Sequence, residues 1–512
     1  MCGIAAIVAD DAELRSVALG EMLTQLRHRG RTGTLYERRD LVELGCALGT
    51  DRLPIVSPGT NRQPRRSPSG RYTVVFNGEV FNHRELLARL TEERAAPEGD
   101  SPGDTAVLAI ALDHWGVDAT VDRLTWEGAF VCVDHEKKTL HAARDHLGIK
   151  PLYYAHAPGA TRFASEIKAL TGTEEDSRIE PVPPGSLLSM NLADRSRPIV
   201  RPWWSPSPRP YTGADDEVPG RVGELLRESV RLRVPEQPYA VALSGGLDSS
   251  LVLRLAVEVN PEVTAYVLHR PGSPDLPFAR RLCTDLGVPL VEVEAPGPDR
   301  LRPLMPDIVR TVETWEWQVV NHAAPMTALF ERISDDGFRV VLTGEGADEL
   351  FHGYTDPEGD WNETVLTEER RRRLDSLHRT NCRRLDRMGM RYGLECRVPF
   401  LDRELTEFAL SLPARLSLGP QGNKLPIRRV AATLLPPDMA TRRKLSFARG
   451  AGYKYAPGDV ASVFGPTQLF EKPAQPTPEW SGLARYPVEE IFLSSFLDQG
   501  YGRAAYLRTA ST

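Results

Sequence analysis

Three groups of residues have types and spacings that could do chemistry. Cys2 follows the first methionine directly and precedes the apolar run GIAAIVA. With Met1 removed, one residue would carry both a thiol and a free α-amine, a nucleophile with its own base. The second group is VALSGGLDSSLV, residues 241–252. Its glycines let the backbone come close to a ligand and take positive φ. Exposed N–H groups at the start of a helix favour an anion, and Ser244, Ser249 and Ser250 add hydroxyls. Asp248 would repel a phosphate unless a divalent cation stands between them, which makes it a candidate oxygen ligand for magnesium. GxxxxGK[ST] is absent, so this is not a Walker A loop. The third group, LTGEGADELFHGY at 342–354, crowds Glu345, Asp348 and Glu349 onto a glycine-rich turn. In a purely structural turn that crowding costs repulsion; beside a magnesium-bound phosphate it is useful.

The elements that must position these groups change character along the chain. The first part is rich in short strands. YTVVF (72–76) runs into an NGE turn, and FNHRELLARL begins a helix. AFVCV (129–133) and LHAAR (140–144) flank a polar turn and predict a hairpin. The Pro-rich stretch 197–213 reads as a linker. Beyond it, ELLRESVRL has helical spacing. YAVAL, VTAYVL, LVEVE and RVVLT are apolar runs separated by helical segments, which predicts a parallel sheet covered by helices on both faces. Ligands on such sheets sit at the carboxyl ends of the strands, where both glycine-rich loops fall.

Composition narrows the class. A chain of 512 residues suggests two to four domains at ~100–200 residues each. It is 41% hydrophobic and 26% charged, as soluble globular proteins are. A formal net charge of -7 argues against a broad basic face for nucleic acid. No apolar run is long enough to span a bilayer, and no basic segment precedes the N-terminal apolar stretch as in a signal peptide. The six cysteines are scattered without a CxxC pair, against a disulfide framework or zinc knuckle. A cytoplasmic protein with reduced thiols is expected, with neither membrane nor nucleic-acid partner.

Taken together, these residues resemble the asparagine synthetase family, class II glutamine amidotransferases with an ATP pyrophosphatase synthetase domain. The likeness runs from Cys2 to about residue 455. It is carried, in order, by the N-terminal cysteine, NGE, ARDHLGIKPLYYA, SGGLDSS, GEGADELF, ECRVPFLD and RRKLSFARGAGY. It implies an αββα glutaminase sandwich of the N-terminal nucleophile type over 1–205 and a parallel-sheet synthetase over 206–512. It implies that Cys2 hydrolyses glutamine, and that ammonia attacks an acyl-adenylate made from ATP and a carboxylate. Asn77 and Gly78 would supply the oxyanion donors, each typically worth ~10²–10³ in rate. Arg52, Ile55, Val56, Glu79 and Asp104, with Asn77 and Gly78, would hold glutamine. Leu243, Ser244, Gly245, Gly246, Asp248, Ser249, Leu268, Thr343, Gly344 and Glu345 would hold ATP and pyrophosphate. Asp248 and Asp348 would bind Mg2+, while Glu345 and Lys444 would support the adenylate chemistry. No redox cofactor is implied, and relatives are often dimers, which makes a homodimer an expectation.

The family pattern breaks at the acceptor. In WEWQVVNHA (315–323), Asn321 stands where the family carries an arginine, and Gln318 and Val319 replace two threonines. Leu445 and Arg449 replace a glutamate and an aspartate, His352 replaces a glycine, and Trp315 and Trp317 add apolar bulk. Losing one partner of a charge pair typically costs ~2–5 kcal/mol. The expected acceptor pocket (Trp315, Trp317, Gln318, Asn321) therefore points to a small-molecule carboxylic acid less polar than aspartate. The alternatives are aspartate itself, a substituted-amide nitrogen donor, and a ring-closing enzyme of β-lactam synthetase type. Ring-closing relatives typically lose the N-terminal cysteine, which this chain retains.

Overall fold

A computed structural model describes residues 1–30, 36–55, 61–96, 102–172, 178–206, 209–359, 361–443, 445, 450–452, 483 and 487–504. The N-terminal half stacks two antiparallel six-stranded sheets. In the first, β1 (Cys2–Ala9) lies between β3 (Cys46–Arg52) and β9 (Ala160–Ala164). β2 (Tyr36–Leu41), β8 (Tyr153–Ala157) and β10 (Ile179–Pro181) complete the order β10-β8-β9-β1-β3-β2. The second sheet centres on β5 (Tyr72–Val80) and β6 (Trp126–Asp134). β4 (Arg65–Arg66), β7 (Thr139–Arg144), β11 (Ser186–Asn191) and β12 (Ile199–Pro202) give the order β12-β11-β7-β6-β5-β4.

Strand periodicity explains the layering. Successive side chains of β1 point to opposite faces. Ile4, Ala6 and Val8 pack between the sheets against Val75, Val131 and Phe163. Ala5, Ile7 and Ala9 face Leu19 and Leu23 of helix α1 (Ala12–Gln25). On the outer face of the second sheet, Val74 and Phe76 meet α2 (His83–Glu92) and α3 (Asp104–Arg123). Both faces of β1 are buried, so its run of apolar residues does not alternate. The layers are helix, sheet, sheet, helix, as the family resemblance implied.

Two local expectations differ. NGE is not a turn: β5 continues through Val80, which pairs with Trp126. The ladder outweighs the turn propensity of Asn-Gly because Gly78 sits opposite Gly128, where no side chain blocks the strands. The Pro-rich segment is partly a strand as well, since β12 pairs with Ser186–Ser189 along the sheet edge, where proline is tolerated.

The C-terminal half carries a parallel sheet of β13 (Tyr239–Ala242), β14 (Val263–His269), β15 (Leu290–Glu294), β16 (Val340–Leu342) and β17 (Glu395–Arg397). Its order is β15-β14-β13-β16-β17, so the winding reverses between β13 and β16. Such a reversal opens a crevice at the strand ends, and both glycine-rich loops border it. β17, from the ECRVPFLD motif, is a strand that periodicity could not reveal in three residues. The longer helices packed around this sheet include α4 (Val218–Arg233), α5 (Leu247–Val259), α6 (Leu276–Leu286), α7 (Met305–Val312), α8 (Trp317–Asp335), α9 (Glu363–Ser376), α10 (Asn381–Arg391), α11 (Leu425–Leu434) and α12 (Pro487–Asp498).

Charge, not only apolar area, joins the halves. Arg29 pairs with Glu166 at 2.6 Å and reaches across to Asp386 of α10 at 2.8 Å. Arg387 pairs with Asp386 and with Glu313 at 2.9 Å, and Lys168 bridges Glu166 and Glu313. All six side chains are buried. Removing one partner from such a cluster leaves an uncompensated buried charge. Asp386→Ala is expected to cost about 3–5 kcal/mol in stability, read as a lower urea midpoint; a loss below about 1 kcal/mol, the size of an exposed pair, would contradict this view of the interface.

Candidate active site

The first site forms where β1 starts and β3 ends beside the last residues of β5. Cys2 opposes Arg52 in the β1–β3 register. Its amide N–H donates to Asn77 Oδ1 at 3.0 Å, and its carbonyl accepts from Arg29 Nε at 3.0 Å. The backbone of Cys2 is therefore fixed from both sides. Asn77 is fully buried, yet its Nδ2 finds no hydrogen-bond partner among the described residues. A buried amide donor without an acceptor is costly unless a ligand supplies one, as the oxyanion of an acyl transfer would.

Gly78 has φ +150, and a Cβ there would lie 2.2 Å from the Glu127 carbonyl oxygen. Only glycine allows this approach, and it brings the next residue, Glu79, into the pocket. Asp104 opens α3, where its Oδ1 accepts from Asn61 Nδ2 at 2.6 Å and from the Thr105 N–H at 2.7 Å. Asn61 also accepts from Arg52 Nη1 through its carbonyl, so one residue ties the two expected glutamine readers together. Burial, and then the charge of Asp104, raise the Glu79 carboxyl well above the usual range. Both observations describe a pocket short of positive charge.

Met1 supplies that charge in this chain. Its ammonium lies 3.3 Å from Glu395 Oε2, donates to the Leu53 carbonyl, and feels Glu79 and Asp104. Its side chain packs with Leu53, Met390 and Ile55. Burial pushes the Cys2 thiol up, and the nearby ammonium pulls it down. Removal of Met1 would place an amine on Cys2 itself and open the acidic pocket to a substrate ammonium. Val56 lies outside the described residues.

The second site is a cavity of about 630 Å³ at the reversal of the parallel sheet. Leu243, Ser244, Gly246, Asp248, Ser249, Leu268, Thr343, Gly344, Glu345 and Asp348 line it. Gly245, with φ +74, sits behind this wall against the Asp275 carbonyl, 2.4 Å from where a Cβ would be. The serines brace the loop: Ser249 Oγ accepts from the Ser244 N–H at 3.1 Å, and Ser244 Oγ from the Gly246 N–H at 3.2 Å. Gly246 caps α5, whose N-terminal dipole faces the cavity.

Lys424, which no sequence signal marked, donates to Asp248 at 2.6 Å and contacts Asp348 at 2.5 Å. The two expected magnesium ligands therefore converge on one cation. Glu349 Oε2 is buried without a partner among the described residues, and burial plus its acidic neighbours raise Glu349 to about 7. Hard carboxylate oxygens suit Mg2+, which typically takes one or two of them and completes its shell with water and phosphate. No three ligating side chains are pre-assembled among the described residues. Glu345 is held by Arg384 at 2.5 Å and Asn381 at 3.3 Å, both from α10. Lys444 lies outside the described residues.

The acceptor segment divides. Trp315 and Gln318 line the cavity, together with Val319 and His322. Trp317 does not line it: its N–H donates to Glu489 of α12 at 2.8 Å. Asn321 does not line it either. It is fully buried within α8, with neither side-chain polar atom partnered among the described residues. On a helix, neighbours in sequence face different directions, so the residue after Asn321 reaches the cavity instead. Trp315 meets Phe496 of α12 edge-on at 5.0 Å, which gives the C-terminal segment a part in this wall. His352 has φ +57, and its Nε2–H donates to the Leu366 carbonyl, 3.2 Å away, tying the acidic loop to α9.

Residues 1–201 match the family model described as a glutamine amidotransferase domain, and residues 221–364 and 357–475 match that for asparagine synthase. The chain is 30% identical over 483 residues to asparagine synthetase [glutamine-hydrolyzing] 1 of Arabidopsis thaliana, covering 90% of this chain and 80% of that one. It is 30% identical over 545 residues to a probable asparagine synthetase of Schizosaccharomyces pombe, covering 98% and 94%. Asparagine synthetase B of Escherichia coli is 29% identical over 521 residues, covering 96% and 90%.

Asn77→Ala is expected to lower glutamine hydrolysis by about 10²–10³ while ammonia-driven product formation persists. Gly78→Ala should abolish hydrolysis, because its Cβ meets a strand backbone rather than a flexible side chain. Glutamate release and ammonia-driven AMP release, measured side by side, check both.

Proposed function

Because this chain belongs to the asparagine synthetase family, we propose that it amidates a small carboxylic acid less polar than aspartate. It is a glutamine-hydrolysing, ATP-dependent carbon–nitrogen ligase of the asparagine synthetase type. In our reading, the Cys2 thiolate attacks the glutamine amide carbon, with the Cys2 amine taking the thiol proton. Asn77 Nδ2 and the Gly78 N–H receive the oxyanion, ammonia leaves, and water releases glutamate from the thioester. Arg52 reads the substrate carboxylate; Glu79 and Asp104 read its ammonium.

At the second site, an acceptor carboxylate oxygen attacks the α-phosphorus of ATP, and pyrophosphate leaves into the Ser244–Ser249 loop. Asp248 and Asp348 would hold Mg2+, which when bound offsets the phosphate charge. Ammonia then attacks the acyl carbon, the amide forms and AMP departs. Glu345, steadied by Arg384, stands at the loop where the amine must lose its proton.

The observation that carries the acceptor reading is the placement of Asn321. The position that would read a second substrate carboxylate holds a neutral side chain turned into the protein, and the cavity wall beside it is Trp315, Val319 and His322. An aspartate acceptor is the second reading, favoured by Arg372, Arg379 and Arg443 on the same lining. Retention of Cys2 beside an unpartnered oxyanion donor supports external nitrogen over ring closure.

A panel of carboxylic acids, assayed for acid-dependent pyrophosphate release with ATP and glutamine, separates the two acceptors. A monocarboxylic acid with an apolar substituent is expected to turn over best. Efficient turnover of L-aspartate at micromolar KM would sink the first reading. Cys2→Ala should lose glutamine-driven product and keep ammonia-driven product; loss of neither would remove Cys2 from the reaction.

A further inference from the structure

We propose that Arg397 is a positioning residue that ties the glutamine-ammonium pocket to the adenylate loop, so that filling one site biases the other. The inference rests on the assignment of the two half-reactions given above. One residue touches both places. In the register of the parallel sheet Arg397 pairs with Leu342, and its carbonyl accepts from the Thr343 N–H at 3.1 Å. Thr343 and the two residues after it line the ATP cavity. The side chain leaves the sheet in the other direction. Its guanidinium donates from Nε to Glu395 Oε1 at 2.6 Å, from Nη1 to the Arg233 carbonyl at 2.7 Å, and lies 3.5 Å from Glu79 Oε2.

The Arg397 side chain is buried, and β17 is the last strand of its sheet, with β16 as its one strand neighbour. Its backbone is also held from the N-terminal half: Lys150 Nζ donates to the Cys396 carbonyl at 2.8 Å, and the Val398 N–H donates to Glu127 Oε1 at 3.3 Å. The strand therefore lies between the adenylate loop and the glutaminase half, and its Arg397 side chain reaches the acidic pocket. The planar fork of arginine reaches three acceptors at fixed angles, which a lysine ammonium cannot do. The Met1 ammonium, 3.3 Å from Glu395 Oε2 and interacting with Glu79 and Asp104, marks where a substrate ammonium would sit. A cation arriving there shares Glu79 and Glu395 with Arg397. The guanidinium must then redistribute between the two carboxylates, and the strand that carries it also carries the Thr343 contact. The two sites thus share one element, and the redistribution of the guanidinium is the second arrangement that the proposed coupling requires.

The test compares the full-length wild type with Arg397→Gln and Arg397→Lys. Three quantities are read: glutaminase activity with and without ATP and a turned-over acid, glutamate formed per AMP, and ammonia-driven AMP formation. In the wild type, ATP and acid should stimulate glutamine hydrolysis. Arg397→Gln should lose that stimulation, raise the glutamine KM about tenfold or more and raise the glutamate-to-AMP ratio. Ammonia-driven AMP formation should stay within about threefold, below the usual range of a coupling effect. Arg397→Lys should fall between, and it reads the same ratio should the glutamine variant fail to fold. An unchanged ratio and KM in a folded variant overturns the proposal, as does an unstimulated wild type. A parallel fall of ammonia-driven and glutamine-driven activity overturns it too, because a merely structural residue would do that. Failure of the underlying functional reading looks different: the wild type itself would then form no AMP in response to glutamine.

Discussion

The structure depends on a charge cluster from which water is excluded. Arg29, Lys168 and Arg387 are interleaved with Glu166, Glu313 and Asp386, all buried. Three positive and three negative groups balance, so the desolvation cost that an isolated buried ion would carry is met by close pairing. Such a cluster does not tolerate sliding. An apolar interface of the same area could shift by a fraction of a side chain, whereas these paired oxygens and nitrogens fix one arrangement. Arg29 carries the consequence to chemistry, because its Nε holds the carbonyl of Cys2 while its other nitrogens hold α10.

The same helix faces the second site. Arg384 and Asn381 steady Glu345, two turns or less from the Asp386 that meets Arg29. The two pockets are thus framed by common rigid parts rather than by separate walls. This arrangement suits a reaction in which a small, diffusible nitrogen must not be released before the acid is activated. Both sites balance carboxylates against a cation of the chain itself: Glu79, Asp104 and Glu395 surround the Met1 ammonium, and Asp248 and Asp348 converge on Lys424.

Much of this was legible in the sequence because the relevant signals are local. The glycine-rich loop after YAVAL needs no partner to be recognised, and strands alternating with helices imply a parallel sheet wherever the helices lie. β1 was visible in the sequence only as an apolar run, because a strand buried on both faces shows no alternation to mark it. The acceptor segment was less legible. WEWQVVNHA identified a break in the family pattern, but it could not say which side chains reach the cavity. That depends on the phase of α8, which places His322 on the wall and Asn321 behind it. NGE misled for a related reason: Asn-Gly favours a turn locally, and only the facing Gly128 keeps β5 extended.

The sequence by itself determined which reactive residue types occur and in what order: the N-terminal cysteine, the serine- and glycine-rich loop and the acidic loop. Each is a short motif that neighbouring residues make recognisable, while the roles expected of Asn77 and Gly78 came from the family resemblance. Only the tertiary structure decided what stands beside what. Arg29 with Asp386, Asn61 between Arg52 and Asp104, Lys424 between Asp248 and Asp348, and Arg397 between Glu79 and Thr343 join residues far apart in the chain. A lone arginine or lysine in a sequence is usually a solvated surface charge. What makes these four different is burial beside a partner, and burial follows from packing the whole chain.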